Sequence, residues 1–130
     1  AAYPMRFNTL EESNNISIVS GSRITFAYDG VYNIQFSAQI NKASGGSAEI
    51  DIWLGESGSN VPRSNTNIHV RGNNVNEVAA WNFVRTFPSG SYAQIFWRTN
   101  DTDVVLLYEN SSSSPTRPEI PSVIVSVSQV

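Results

Sequence analysis

Glu49, Asp51 and Trp53 stand two residues apart in "SAEIDIWL", the first spacing in the sequence that could do chemistry. In an extended strand residues i, i+2 and i+4 share one face, so two carboxylates and an indole would project together. Paired carboxylates flanking a sugar ring are the equipment of a glycosidase. Alternating acids on a solvated strand give the same pattern without catalysis, and Trp53 beside them then marks a contact surface. His69, the single histidine, lies in "NTNIHV" with no nucleophile-elbow pattern near it. One histidine and no cysteine exclude a zinc site of the usual kind. "NDTD", Asn100 to Asp103, offers closely spaced oxygen ligands for calcium, but lacks the glycine and distal glutamate of an EF-hand loop and reads more simply as a turn. No phosphate-binding glycine loop is present. The expectation is a non-enzyme with no cofactor and no resident metal.

The elements that must position these residues are strands. "GVYNIQFSAQI" alternates strictly, with Tyr32, Ile34, Phe36, Ala38 and Ile40 on one face and Asn33, Gln35, Ser37 and Gln39 on the other. That period is the signature of a strand with one face in a core. "SAEIDIWL" repeats it, with Ala48, Ile50, Ile52 and Leu54 opposite the Glu49 face. Further strands are expected at "ISIV", "SRITFAY", "TNIHV", "EVAAWNFVRTF", "SYAQIFWRT", "DVVLLYE" and "PSVIVSVSQV", separated by Gly, Ser, Asn and Pro turns. Trp81 shares a face with Ala79 and Phe83, and Trp97 with Ala93 and Ile95, so both indoles are assigned to the core. No helix is expected. The pattern predicts an all-β antiparallel sandwich or jelly roll.

With 130 residues, 40% hydrophobic content and a net charge of −3, the chain has the size and composition of one soluble domain. Its 8 Lys and Arg are scattered among 11 Asp and Glu, which leaves no footprint for nucleic acid. No apolar run approaches a membrane span, and "AAYPMRF" has neither the charged nor the apolar region of a signal peptide. Without cysteine, stability must come from packing or from partner chains.

"DGVYNIQFSAQI", "FPSGSYAQIFW" and the closing Val/Ser strand resemble, in that order, the trimeric jelly rolls of the tumour-necrosis-factor and complement globular-head type. "VYNIQFSAQ", "DIWL", "AAWNF" and "PTRPEIPSVIVSVSQV" are similar to a family of small virion-associated phage proteins. This chain departs from that family at "LGESGSNVP", where the family usually carries a basic residue and "NG". The resemblance implies a homotrimeric jelly roll over residues 1–130, with 1–15 as an attachment arm. The three strands would share one inner sheet around a threefold axis. The trimer interface would comprise Asn33, Gln35, Ser37 and Gln39; Tyr92, Gln94 and Phe96; and Ser122, Ile124, Ser126 and Ser128, with Val123, Val125 and Val127 in the core. Solvated faces usually carry Lys and Glu, so neutrality across three strands points to an interface. The implied location is the outer surface of a phage head or fibre. The partners would be two further copies of the chain and, through the arm, the major capsid protein or another virion protein; a host-surface glycan is the third. The expected function is capsid decoration or cementing. The alternatives are a fibre's receptor-binding knob and a carbohydrate-active secreted protein.

Overall fold

The structure, a computed structural model, describes residues 2–11 and 13–130. Among them the chain forms strands and no helix. In chain order these are β1 (Tyr3–Pro4), β2 (Ile16–Val19), β3 (Arg23–Phe26), β4 (Gly30–Lys42), β5 (Ser47–Glu56), β6 (Ser59–Asn60) and β7 (Thr66–Arg71). They continue as β8 (Val75–Phe87), β9 (Tyr92–Thr99), β10 (Val104–Leu106), β11 (Ser112–Ser113), β12 (Thr116–Arg117) and β13 (Val123–Gln129). Every segment read as a strand contains one. "DVVLLYE" yields only the three residues of β10, and the chain then leaves the sheet in a small β11–β12 hairpin before β13.

Two antiparallel sheets form a sandwich. One runs β2-β3-β9-β5, with β7 and β6 sharing the far side of β5 and β1 lying on β9 beyond the end of β3. In the other, β8 covers one side of β4 from Gly30↔Phe87 to Lys42↔Val75, while β13 and β10 share its opposite side. The inner faces supply a common core in which Ile34, Ile50, Ile52, Ile24 and Ile95 have no exposed surface. Burying such a side chain is worth about 1.5–3 kcal/mol, and a one-residue slip in β4 would turn its whole apolar set to water. At one end Phe26 stacks on Phe87 with centroids 4.4 Å apart. Nearer the middle Phe36 meets Trp81 edge-on at 4.8 Å. Trp81 and Trp97 both pack against the core, as their alternation predicts.

The β5–β6 hairpin closes through Ser57 and Gly58 alone, with φ of 47° and 92°. A two-residue hairpin of this hand needs positive φ at both central positions, which is why glycine stands at the second.

Two placements differ from expectation. β9 belongs to the β3–β5 sheet, so Tyr92, Gln94 and Phe96 do not join Asn33, Gln35, Ser37 and Gln39 on one surface. Alternation tells a strand which residues face inward, and says nothing about which neighbours it pairs with. The amino-terminal segment is not wholly an arm either. Tyr3 and Pro4 pair with Trp97 and Phe96, Met5 is a core residue, and the Phe7 amide donates to the Gly21 carbonyl at 2.7 Å. Met5 anchors it because "YPMRF" alternates and presents an apolar side chain where the sandwich has room for one.

Candidate functional site

The sandwich has two outer faces of opposite character. On the β8–β4–β13 sheet the outward residues of β4 are Val31, Asn33, Gln35, Ser37, Gln39 and Asn41. Ser128, Ser126 and Ile124 stand opposite Asn33, Gln35 and Ser37 on one side. Val84, Asn82, Ala80 and Val78 stand opposite Asn33, Gln35, Ser37 and Gln39 on the other. Not one of these side chains is charged. Five large aliphatics on this face, Val31, Val78, Val84, Val105 and Ile124, are between 38% and 59% exposed. Ser122 precedes β13, and its carbonyl accepts the Gln39 amide at 2.8 Å, which holds the strand in register. The structure thus brings together the β4 and β13 members of the expected interface and replaces β9 with β8. The signal for β8 was in the sequence: the residues opposite Ala79, Trp81 and Phe83 are Val78, Ala80, Asn82 and Val84, too apolar for a solvated face.

The charges are elsewhere. Lys42, the one charged residue of β4, turns inward and is fully buried. Its ammonium donates to the carbonyls of Ser44 and Gly45, the latter at 2.7 Å, and lies 3.8 Å from Asp101. Asn100–Asp103 is therefore committed internally. The Asn100 side chain accepts the Glu49 amide, Asp101 accepts the Asp103 amide, and Asp103 accepts the Ser44 hydroxyl. No group of three or more His, Asp or Glu among the described residues is placed to hold a metal ion.

Across the β9–β5–β7 face, Asp51 lies between Arg98 and Asn67 in register. Its Oδ1 accepts from Asn67 at 2.9 Å and its Oδ2 from Arg98 at 2.7 Å. The Asn67 hydrogen bond, outweighing the opposing effect of burial and joined by Arg98, holds the carboxyl below its ordinary value near 3.8. Glu49, one step along the same face, instead meets the imidazole of His69 at 3.3 Å, with both side chains half exposed. Trp53 lies nearly parallel to Phe96, centroids 5.9 Å apart, and its indole N–H donates to Asn60 at 2.9 Å. Gly55 makes room for Phe96, since a Cβ there would meet the ring at 2.6 Å. Tyr92 lies under the Arg23 guanidinium at 4.5 Å, and Gln94 donates to the Ser22 hydroxyl at 3.0 Å. Asp51, Trp53, Asn60, Val61, Arg63, Asn65 and Arg98 line a cleft of about 330 Å³. Glu49, Asp51 and Trp53 do share this face as their spacing predicts, but only the last two line the cleft.

The fold and its faces define a β-sandwich with one neutral aliphatic surface and one charged, aromatic surface. No protein-family model matches the chain, and no curated protein matches it.

Proposed function

We propose that this protein is a non-enzymatic structural component of a phage virion, a homotrimeric jelly roll that decorates or cements a capsid. The observation that carries this reading is the uncharged outer face of the β8–β4–β13 sheet. A chain with a net charge of −3 repels its own copies, so a surface where identical subunits meet must be neutral or self-complementary. This face is neutral and rich in exposed Val and Ile. The 13 residues of β4 at about 3.3 Å each, across three strands about 4.8 Å apart, give a plan area of about 600 Å². A standard interface buries about 800 Å² per partner, so side-chain relief and the flanking loops bring the face to the required size. The jelly-roll reading is supported by the connections: β3 to β4, β4 to β5, β7 to β8, β8 to β9 and β9 to β10 all pass from one sheet to the other. The threefold symmetry and the virion location rest on the sequence resemblance.

On this reading residues 8–11, which include the exposed Leu10, are the part of the amino-terminal segment left for a neighbouring coat subunit. The test has two arms. Light scattering on the purified protein should give three times the chain mass at micromolar concentration, and a monomer would overturn the trimer. Cryo-electron microscopy of intact virions should find the chain at stoichiometric copy number on the head, and its absence from virions would overturn the decoration role.

The cleft beside Trp53 favours a second reading, the receptor-binding knob of a fibre. It does not favour a hydrolase, because a retaining or inverting glycosidase needs two carboxyl groups flanking the scissile bond, and Asp51 is the only carboxylate among the described residues that lines the cleft.

A further inference from the structure

We propose that the cleft formed by Asp51, Trp53, Asn60, Arg63, Asn65 and Arg98 binds a carboxylate-bearing pyranose of an acidic glycan. This inference goes beyond the structural role above and does not depend on the trimer, because the cleft lies on the opposite sheet.

The cleft is built in advance of any ligand. Its rim is the β5–β7 connection, folded back on β5 by the Ser57–Gly58 turn and pinned at two further points. The Val61 amide donates to the Leu54 carbonyl at 2.9 Å, and the Ser64 hydroxyl accepts the Leu54 amide at 3.0 Å while donating to the Val61 carbonyl at 2.8 Å. Arg63 sits between these ties with φ of 64°, a conformation that non-glycine residues adopt at a cost and that clusters at ligand sites. A rim fixed in this way does not have to be ordered at the moment of binding, which is where much affinity is otherwise lost. The volume of about 330 Å³ lies within the range of small-molecule sites.

The groups around it match one chemistry. Trp53 is locked against rotation by its bond to Asn60 and supplies a flat apolar wall for the C–H face of a pyranose. Asp51 accepts from Asn67 and Arg98 and is also hydrogen-bonded by Asn65, so its remaining lone pairs and the second hydrogen of the Asn65 amide are what this side of the cleft offers to ring hydroxyls. The charge is then unbalanced. Asp51 neutralises Arg98, whereas Arg63 forms no ion pair among the described residues. The unspent positive charge lies in a chain that is otherwise net negative. The planar guanidinium pairs with a carboxylate through two parallel hydrogen bonds, which places the acidic substituent of the sugar at Arg63 and its ring on Trp53.

The full chain, labelled with ¹⁵N, is titrated with methyl glucuronide and, separately, with the neutral methyl glucoside. Saturable shifts are expected at the Trp53 indole N–H and in the amides of residues 51–65 and 98, with the glucuronide binding about tenfold more tightly. Arg63→Ala should remove that preference and leave the glucoside unaffected, while Trp53→Ala should abolish binding of both. Circular dichroism on each variant separates lost binding from lost fold, and the exposed Arg63 can be replaced without touching the core. Absence of saturable shifts with both sugars, shifts confined to other residues, or equal affinities in the wild type would each overturn the assignment.

Discussion

The two outer faces are built from the same kind of strand, yet one carries no charge and the other carries two of the four ion pairs among the described residues. On β4 the outward positions are Asn, Gln, Ser and Val, and the only charge, Lys42, is folded inward beneath its own loop. On β5 the outward positions are Glu49, Asp51 and Trp53, each answered across the sheet by a partner of its own: His69, Arg98 with Asn67, and Phe96. The difference teaches what each surface can tolerate. Charged groups facing water keep their hydration, whereas a face to be covered by its own copy would have to shed it. On the proposed reading, a neutral sheet next to a charged one in a single small sandwich divides association from recognition.

The most severe way to break the comparison is to put charge on the neutral face. Ser126→Glu, opposite Gln35 at the centre of the sheet, would bring like charges together near the axis. On the proposed trimeric reading it should give monomer at micromolar concentration in light scattering. Val84→Arg on the opposite edge of the sheet should do the same. Neither should move the stability of the isolated fold by more than about 0.5 kcal/mol, since both sites are solvent-facing in the monomer. A Ser126→Glu protein that remains trimeric would place the interface elsewhere. Next in size is the buried charge. Lys42→Ala empties a fully buried side-chain position and removes the donor to two loop carbonyls, and a large-to-small change at a core position costs about 2–5 kcal/mol. Thermal unfolding should show a large drop in Tm, with assembly state unchanged wherever the protein remains folded.

These variants also mark where the sequence was legible. Strand alternation in β4, β5 and β13 gave the correct inward and outward residues, because each has a sharp contrast between an apolar and a polar face. β8 was legible on its inward side, where Ala79, Trp81 and Phe83 pack against the core as expected, but Val78, Ala80 and Val84 make its outward side nearly as apolar and the contrast there is weak. The resemblance, not the alternation, misplaced β9. Tyr92, Gln94 and Phe96 do point outward, but they do so on the opposite sheet, and sheet membership is decided by pairing with β3 and β5 far away in the chain. The cleft shows the same limit. Asp51 and Trp53 could be paired from their spacing, whereas Arg98 and Arg63 reach them only through the register of β9 and the folded-back β5–β7 loop. Glu49 and Asp51 look equivalent in sequence and differ in the fold because their cross-strand partners differ.

Acid should act on one face and spare the other. Asp51 has its folded value lowered, so its contribution to stability is fully present above the unfolded carboxylate range. It is lost as pH falls through the depressed folded value. Wild type and Asp51→Asn should therefore differ in Tm at neutral pH, begin to converge as pH falls below about 4, and meet only below the depressed folded value. The neutral face has nothing that titrates in that window. Between neutral pH and the onset of unfolding the trimer mass should stay constant, and its dissociation in step with carboxylate protonation would mean that charged residues contribute to the interface after all.

Salt makes the smallest and most selective distinction. The pairs on the charged face, His69–Glu49 and Arg98–Asp51, together with Arg85–Glu56 at the sandwich edge, all have one partner at least 41% exposed. Exposed pairs of this kind contribute about 0.2–1 kcal/mol each and weaken as the screening length falls from about 10 Å at 0.1 M to about 3 Å at 1 M. Raising sodium chloride over that range should lower their double-mutant coupling, read from the Tm of Arg85→Ala, Glu56→Gln and the double variant, by a few tenths of a kcal/mol. An association driven by burial of Val31, Val78, Val84 and Ile124 has no such screening term. The trimer's dissociation constant should hold steady or tighten in the same titration, because salts that are excluded from apolar surface strengthen its burial. A trimer that loosens as salt rises would show that the neutral face is not where the subunits meet.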